Sequence, residues 1–190
     1  MFVAASGTFM TIVRRARGMA AQLDDIDRKI LRMLQTNART SNSEIARQLG
    51  MVPSAILERI RKLEERGVIL GYEAKINPAA LGLGLVAFVS VRTADRTHEY
   101  EAAEKLKKFP EVLEVHNIAG EDCYLVKVRV TDVSALRDFL HDKVGQIGSV
   151  IGTRSTIVLG VEKETGRLPI LPASDGSAKA PRFAAGRIQP

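Results

Sequence analysis

Apolar residues recur at helical spacing in the first third of the chain. Ile26, Ile30 and Leu34 stand at i, i+4 and i+8, with Leu31 beside them. That stripe predicts a helix over 24–36. Asp24, Asp25 and Asp27 fall at its start, where unpaired helix N–H groups favour negative charge. Residues 37–40 read as a turn. Ser41 stands three residues before Glu44, the spacing of a capping box, and opens a second helix with Ile45, Ala46 and Leu49 inward. Gly50 ends that helix. Pro53 suits the first turn of a third, whose inner stripe is Ile56, Ile60 and Leu63. Gly67 stops it.

The rhythm then changes. Residues 71–76 predict a short strand, and Asn77-Pro78 breaks it. From Leu85 the pattern predicts strand 85–91, helix 99–109, strand 112–118, strand 124–130, helix 133–144 and strand 150–161. Alternation is clear in 124–130, where Lys127 and Arg129 oppose Val126, Val128 and Val130, and imperfect in 112–118. The order βαββαβ predicts a ferredoxin-like sandwich. The fold class expected is α+β, a helix-turn-helix followed by that sandwich. Two helices would cover one sheet face, and the bare face argues for a dimer. The expected division is an extension or disordered arm over 1–21, a helix-turn-helix domain over 22–76, a connection over 77–84, a sensing and oligomerisation domain over 85–165 and a flexible tail over 166–190.

Composition narrows the class. The 190 residues are 45% apolar and 26% charged, with no Trp, so the chain is globular and its core rests on aliphatic side chains. The net charge is +6. Residues 77–165 are mildly acidic, whereas the termini and the helical segment are basic, which directs a polyanionic partner to the N-terminal half. The lone Cys123 cannot form an internal disulfide and fits a reducing, cytoplasmic setting. The longest apolar run, 81–91, is too short to span a bilayer. Arg14, Arg15 and Arg17 follow the first apolar stretch, the reverse of a secretory signal. Met19 precedes the first helix signal, so the residues before it read as a start-site extension or an arm.

Three short helices with Gly50 between the second and third suggest a helix-turn-helix, whose second helix enters the major groove of double-stranded DNA. The outward residues expected there are Ser54, Ala55, Leu57, Glu58, Arg59, Arg61 and Lys62. Ser54 can bond a base or phosphate, and Ala55 and Leu57 can touch a thymine methyl. Arg59, Arg61 and Lys62 can neutralise phosphates or reach guanine, with Arg39 and Arg47 as backbone clamps. The same charges also fit an ordinary solvated helix face, with Arg61–Glu65 an i,i+4 pair.

These residues resemble the Lrp/AsnC family of leucine- and asparagine-responsive regulators. The resemblance rests on the run Leu23 to Leu31, on Asn37-Ala38-Arg39 with Ser43 to Ala46, and on Arg59 to Ile69 followed by Gly71-Tyr72. In the second half it rests on Gly120, on Tyr124 to Val128 and on the 153–159 strand. It covers roughly 22–163. It implies a winged or wing-like helix-turn-helix, homodimers formed through the βαββαβ domain and often stacked into octamers or other higher assemblies, and control of amino-acid metabolism genes. It also implies an amino acid or related metabolite as effector, bound near the junction between dimers. Two positions depart from the family pattern. Val52 stands where a capping Ser is frequent, and Cys123 replaces the usual Asp of the effector loop.

A free amino acid needs acceptors for its ammonium and donors for its carboxylate. Gly120, Glu121, Asp122 and Cys123 form the loop expected to supply the former; Thr153, Ser155 and Thr156 are expected to supply the latter. An alternative is that Gly120 only turns the chain and its acidic neighbours face water. Cys123 reads either as an inert small residue or as a redox sensor. His98, His116 and His141 are scattered, so no metal site and no cofactor are expected, and no catalytic fingerprint occurs. Siroheme decarboxylases share this two-domain layout, so an enzyme remains an alternative, as does an architectural protein that compacts DNA. The regulator, acting on DNA in the nucleoid and not as an enzyme, is the expected function.

Overall fold

The computed structural model describes residues 23–94 and 99–171. The chain forms two compact units: one joins the chain up to Ala74 with the chain from Gly166 onward, and the other runs from Lys75 to Thr165. The expected N-terminal arm and residues 172–190 of the expected tail lie outside the described residues.

The first unit holds α1 (Asp25–Thr36), α2 (Asn42–Leu49) and α3 (Pro53–Glu65). Asp24 caps α1, accepting from the Asp27 N–H at 2.7 Å. Ser41 caps α2 through the Glu44 N–H at 3.2 Å. The Glu44 carboxylate turns along the helix and accepts from Arg47 and Gln48. Gly50 takes φ 65° at the end of α2, a conformation costly to residues with a Cβ. Val52 gives α3 no side-chain cap, and Pro53 occupies its first turn. The α3 C-terminus closes in a Schellman arrangement, with Val68 N–H on Leu63 O at 2.8 Å and Gly67 N–H on Glu64 O at 2.9 Å. Ile30, Ile45, Ile56 and Leu63 are fully buried between the helices. Each such side chain contributes roughly 1.5–3 kcal/mol relative to exposure.

The strand expected at 71–76 does not form. Leu70 is 94% exposed and Ile76 62%. No strand among the described residues pairs with this segment, and a strand exists only where a neighbour takes its backbone bonds. A short 3-10 turn, Pro78–Leu81, follows.

The second unit contains β1 (Leu85–Thr93), α4 (Glu99–Leu106), β2 (Val112–Asn117), β3 (Tyr124–Val130), α5 (Val133–Asp138) and β4 (Val150–Ile157). The sheet order is β2-β3-β1-β4, with all three pairings antiparallel. Ala87, Val89 and Val91 of β1 and Tyr124, Val126, Val128 and Val130 of β3 face the core. The uneven alternation of 112–118 has a physical cause: the register shifts between Val112 and Glu114, as a bulge produces. Beyond α5 the chain makes a π turn over Phe139–Lys143 and a 3-10 turn over Val144–Gln146. Phe139 and Val144, five positions apart in the sequence, are both buried, and the wider π turn brings them to one side.

The face opposite the helices is not bare. The chain after β4 returns over it, and Glu164 pairs with Arg129 at 3.0 Å and with Lys127. The Lys127 and Arg129 side chains are only 14% and 12% exposed there. Likewise, residues 166–171, expected in a flexible tail, hydrogen-bond to α1 in the first unit.

Candidate nucleic-acid interface and effector loop

The buried stripe of α3 (Ile56, Ile60, Leu63) dictates which side chains point outward. At 100° per residue the opposite side carries Ser54, Glu58, Arg61 and Glu65, with Leu57 at its border, and all five are exposed. Leu57 is 55% exposed and the preceding Val52 61%. Arg61 lies 3.2 Å from Glu65 and Lys62 lies 3.5 Å from Glu58. Such exposed pairs are worth little and are released easily to a phosphate. Arg39 and Arg47 are exposed as well. Arg47 grips Glu44 through two bonds of 2.6 and 3.0 Å. Those bonds, together with the Gln48 amide, hold the Glu44 carboxyl down at about 2.

Arg59 departs from its expected outward role. Its Nη1 donates to Asp24 Oδ2 at 2.7 Å and to Asp27 Oδ1 at 2.8 Å. Asp27 is 92% covered as a whole residue, since only 8% of it is exposed. The reason is rotational: Arg59 sits beside Leu63 on the flank of α3 that meets α1, not on the outer stripe. Hydrogen bonds donated to Asp24 and then to Asp27 raise the Arg59 pKa. The Asp27 N–H, then Arg59, lower that of Asp24 against some desolvation. Ala55 is half-buried and lines a crevice with Asp24, Asp27 and Arg59, whose rim Glu58 and Lys62 share. The outer stripe therefore carries Ser54, Glu58 and Arg61, with Leu57 and Lys62 at its borders, whereas Arg59 turns to α1. The aspartates' role as Arg59's partners was hidden in the sequence, because three acidic residues at a helix start are already accounted for by the helix dipole.

The second candidate site lies at the end of the sheet. Gly120 has φ 141°, a region essentially closed to other residues, so the loop needs glycine there. The loop is pinned by Ile118 N–H on Cys123 O at 3.1 Å and by Cys123 N–H on Val91 O at 3.0 Å. Thr93 Oγ1 donates to Cys123 Sγ at 3.1 Å, so the half-buried thiol sits in a local contact. Asp122, 19% exposed, accepts from Arg154 Nη2 at 2.6 Å. Glu121 is exposed.

Register fixes the proposed donors. Thr153 is opposite Val91, Ser155 opposite Val89 and Thr156 opposite Phe88. Thr153 and Ser155 share the helix-side face and Thr156 the other, because side chains alternate along a strand. Tyr124 is also opposite Val91, so the loop and Thr153 flank β1 in one row, roughly 10 Å apart across two strand spacings. All three donors are exposed on the edge strand. The loop and Thr153 are thus brought near each other; Ser155 and Thr156 lie farther along β4. Arg154 was missed in the sequence, where it is one cation in an edge strand. Only the register sets it against Asp122.

Among the described residues no helix is long and apolar enough to cross a membrane, and no group of three or more His, Cys, Asp or Glu is placed to hold a metal ion.

Comparison with known proteins covers both units. The winged helix-turn-helix DNA-binding family matches residues 23–69, and the Lrp/AsnC ligand binding domain matches 86–168. The HTH-type transcriptional regulator FL11 of Pyrococcus furiosus is 41% identical over 152 residues, covering 80% of this chain and 99% of its own. The structure of a transcriptional regulator from Neisseria meningitidis in complex with L-Met superposes with TM-score 0.74 at 35% identity, covering 78% of this chain and 97% of that one. The feast or famine regulatory protein from M. tuberculosis complexed with L-methionine gives TM-score 0.71 at 39% identity, covering 77% and 98%. With its three-helix N-terminal unit, its antiparallel sandwich and matched relatives that are named as transcriptional regulators, the chain belongs to the Lrp/AsnC family of DNA-binding transcriptional regulators.

Proposed function

We propose that this regulator reads double-stranded DNA through Ser54, Leu57, Glu58, Arg61 and Lys62 of α3, with Arg39 and Arg47 on phosphates, and that an amino acid modulates the binding. The observation that carries the effector reading is the Asp122–Arg154 pair at 2.6 Å beside the Gly120 turn. An α-amino acid is a zwitterion. Its ammonium suits Asp122 and Glu121, and its carboxylate suits Arg154, so one ligand can replace the pair's mutual contact with two charge-assisted contacts. The L-methionine complexes of two structural neighbours support this chemistry. The exposed Ile151 and Ile157 of β4 support assembly through the sandwich unit, as homodimers and then octamers or other higher assemblies. Two reading helices in such a dimer would address half-sites one helical turn apart, roughly 34–36 Å.

The test is fluorescence anisotropy on the DNA upstream of the protein's own gene and on a shuffled duplex. Both are run at one near-physiological salt concentration, with L-methionine first and then each other amino acid. Preference for the upstream duplex, changed by one amino acid, is the expected result. Equal affinity for both duplexes would favour an architectural role. No binding to either duplex would sink the proposal.

A further inference from the structure

The C-terminal residues of the described chain lie along one side of α1. Gln35 clasps the backbone of Leu168 from both sides: Oε1 accepts from the Leu168 N–H at 2.7 Å and Nε2 donates to the Leu168 carbonyl at 3.2 Å. Two turns away on the same helix face, Arg28 Nη1 donates to the Leu171 carbonyl at 2.9 Å. Arg167 Nη2 reaches the Thr36 carbonyl at 3.4 Å, one of the end-of-helix carbonyls that lack a donor within the helix. The segment therefore runs antiparallel to α1.

Its dimensions and sequence suit this path. From Arg28 to Gln35 a helix rises about 10 Å, and from Leu168 to Leu171 an extended chain covers about 10 Å. Pro169 follows Leu168 and Pro172 follows Leu171, which biases both leucines toward the extended backbone before any contact forms. A pre-extended segment loses little freedom on docking. Leu168 and Leu171 are 75% and 71% exposed, whereas Ile170 between them is half-buried. Backbone bonds to polar side chains thus set the register, and Ile170 is the most covered of the three apolar side chains. Ile170 and Leu171 lie beyond the last residue matched by the family.

We propose that the Arg28–Gln35–Thr36 side of α1 is a docking surface for an extended, proline-flanked peptide, and that its resident occupant is the chain's own segment 167–171.

Trypsin tests the latch in the full-length chain, because it cleaves after Arg167 only when the segment leaves α1. Initial cleavage at Arg167 is measured by mass spectrometry against cleavage at the exposed Lys75. Gln35→Ala removes both clasp bonds while keeping a strong helix former. It is expected to speed cleavage at Arg167 roughly five- to tenfold, the scale of two solvent-accessible hydrogen bonds. Gln35→Glu keeps the acceptor and loses the donor, and should fall between. Circular dichroism checks that both variants keep their helices, and Arg28→Ala provides a second variant acting from the other end. Equal rates in the unaltered chain and in both Gln35→Ala and Arg28→Ala would overturn the proposal. Protection that disappears on dilution would give the surface to a second copy's segment and overturn the own-chain assignment.

Discussion

Arg59 of α3 and Asp27 of α1 meet at 2.8 Å, and this contact ties α3 to α1. The same guanidinium nitrogen reaches Asp24, so the helix that presents Ser54 and Arg61 is braced by charge as well as by Ile56 and Leu63. A cation in a run of basic residues is here spent on internal geometry.

Replacing that cation should affect stability more than phosphate contact. Arg59→Ala is expected to cost about 1–3 kcal/mol, between an exposed and a buried pair, because the Arg59 side chain is 30% exposed and Asp27's 11%. The slope of log affinity against log salt should stay unchanged. Thermal unfolding and anisotropy at several salt concentrations measure both. An unchanged melting temperature with a shallower slope would return Arg59 to the DNA.

Arg61 should behave in the opposite way. Its partner Glu65 is 61% exposed and Arg61 itself 70%, so leaving the pair costs little. Arg61→Ala is expected to leave thermal stability within about 0.5 kcal/mol and to reduce the salt slope by about 1 if the contact is to phosphate. A steep slope retained together with lost base preference would instead assign Arg61 to a guanine edge.

The effector proposal rests on the loop and on Arg154. Arg154→Ala should leave DNA binding without effector intact and weaken the amino-acid response at least tenfold, since a charge-assisted contact is worth about 1.5–3 kcal/mol. Gly120→Val forces a β-branched residue into φ 141° and should abolish the response by reshaping the loop. Calorimetric titration of each variant with the amino acid found active checks both. A normal response in both variants would move the effector elsewhere.

The Glu44–Arg47 contact has a pH signature. The Glu44 carboxyl lies at about 2 instead of its usual 4.5, held there first by the Arg47 hydrogen bonds. A depressed carboxyl contributes stability that is complete above the unfolded value and is lost as pH falls through the folded one. The contribution of this group should therefore fade between about 4.5 and about 2. In Arg47→Ala, carbon-detected NMR titration should find Glu44 moved up toward 4.5. A midpoint left near 2 would mean that Gln48 and the helix start hold the charge alone.

Local pattern sufficed for much of the fold. The stripes Ile26–Ile30–Leu34 and Ile56–Ile60–Leu63, the caps Asp24 and Ser41, and the stops Gly50 and Gly67 act within a few residues of themselves, so each is visible where it stands. Strand β3 was legible for the same reason: alternation is a short-range property. The failures involve neighbours distant in sequence. Residues 71–76 have a strand's composition, yet no strand among the described residues takes their bonds. The bulge in β2 follows from its pairing with β3, and the π turn after α5 follows from the need to bury both Phe139 and Val144.

The sequence by itself determined the kind of protein: three short helices, two of them capped by Asp24 and Ser41, a βαββαβ order, a glycine turn before β3 and basic residues on the third helix, all written in spacing and residue type. Only the tertiary structure decided how individual charges are used. Arg59 turned inward to Asp24 and Asp27, Arg154 met Asp122 across the sheet's end, Glu164 covered Lys127 and Arg129, and Gln35 took hold of Leu168. The reason is the range of the forces involved. Helix and strand patterns are set by residues a turn or two apart, whereas a side-chain charge or amide is committed by whichever partner the fold brings within about 3 Å, and sequence distance carries no record of that.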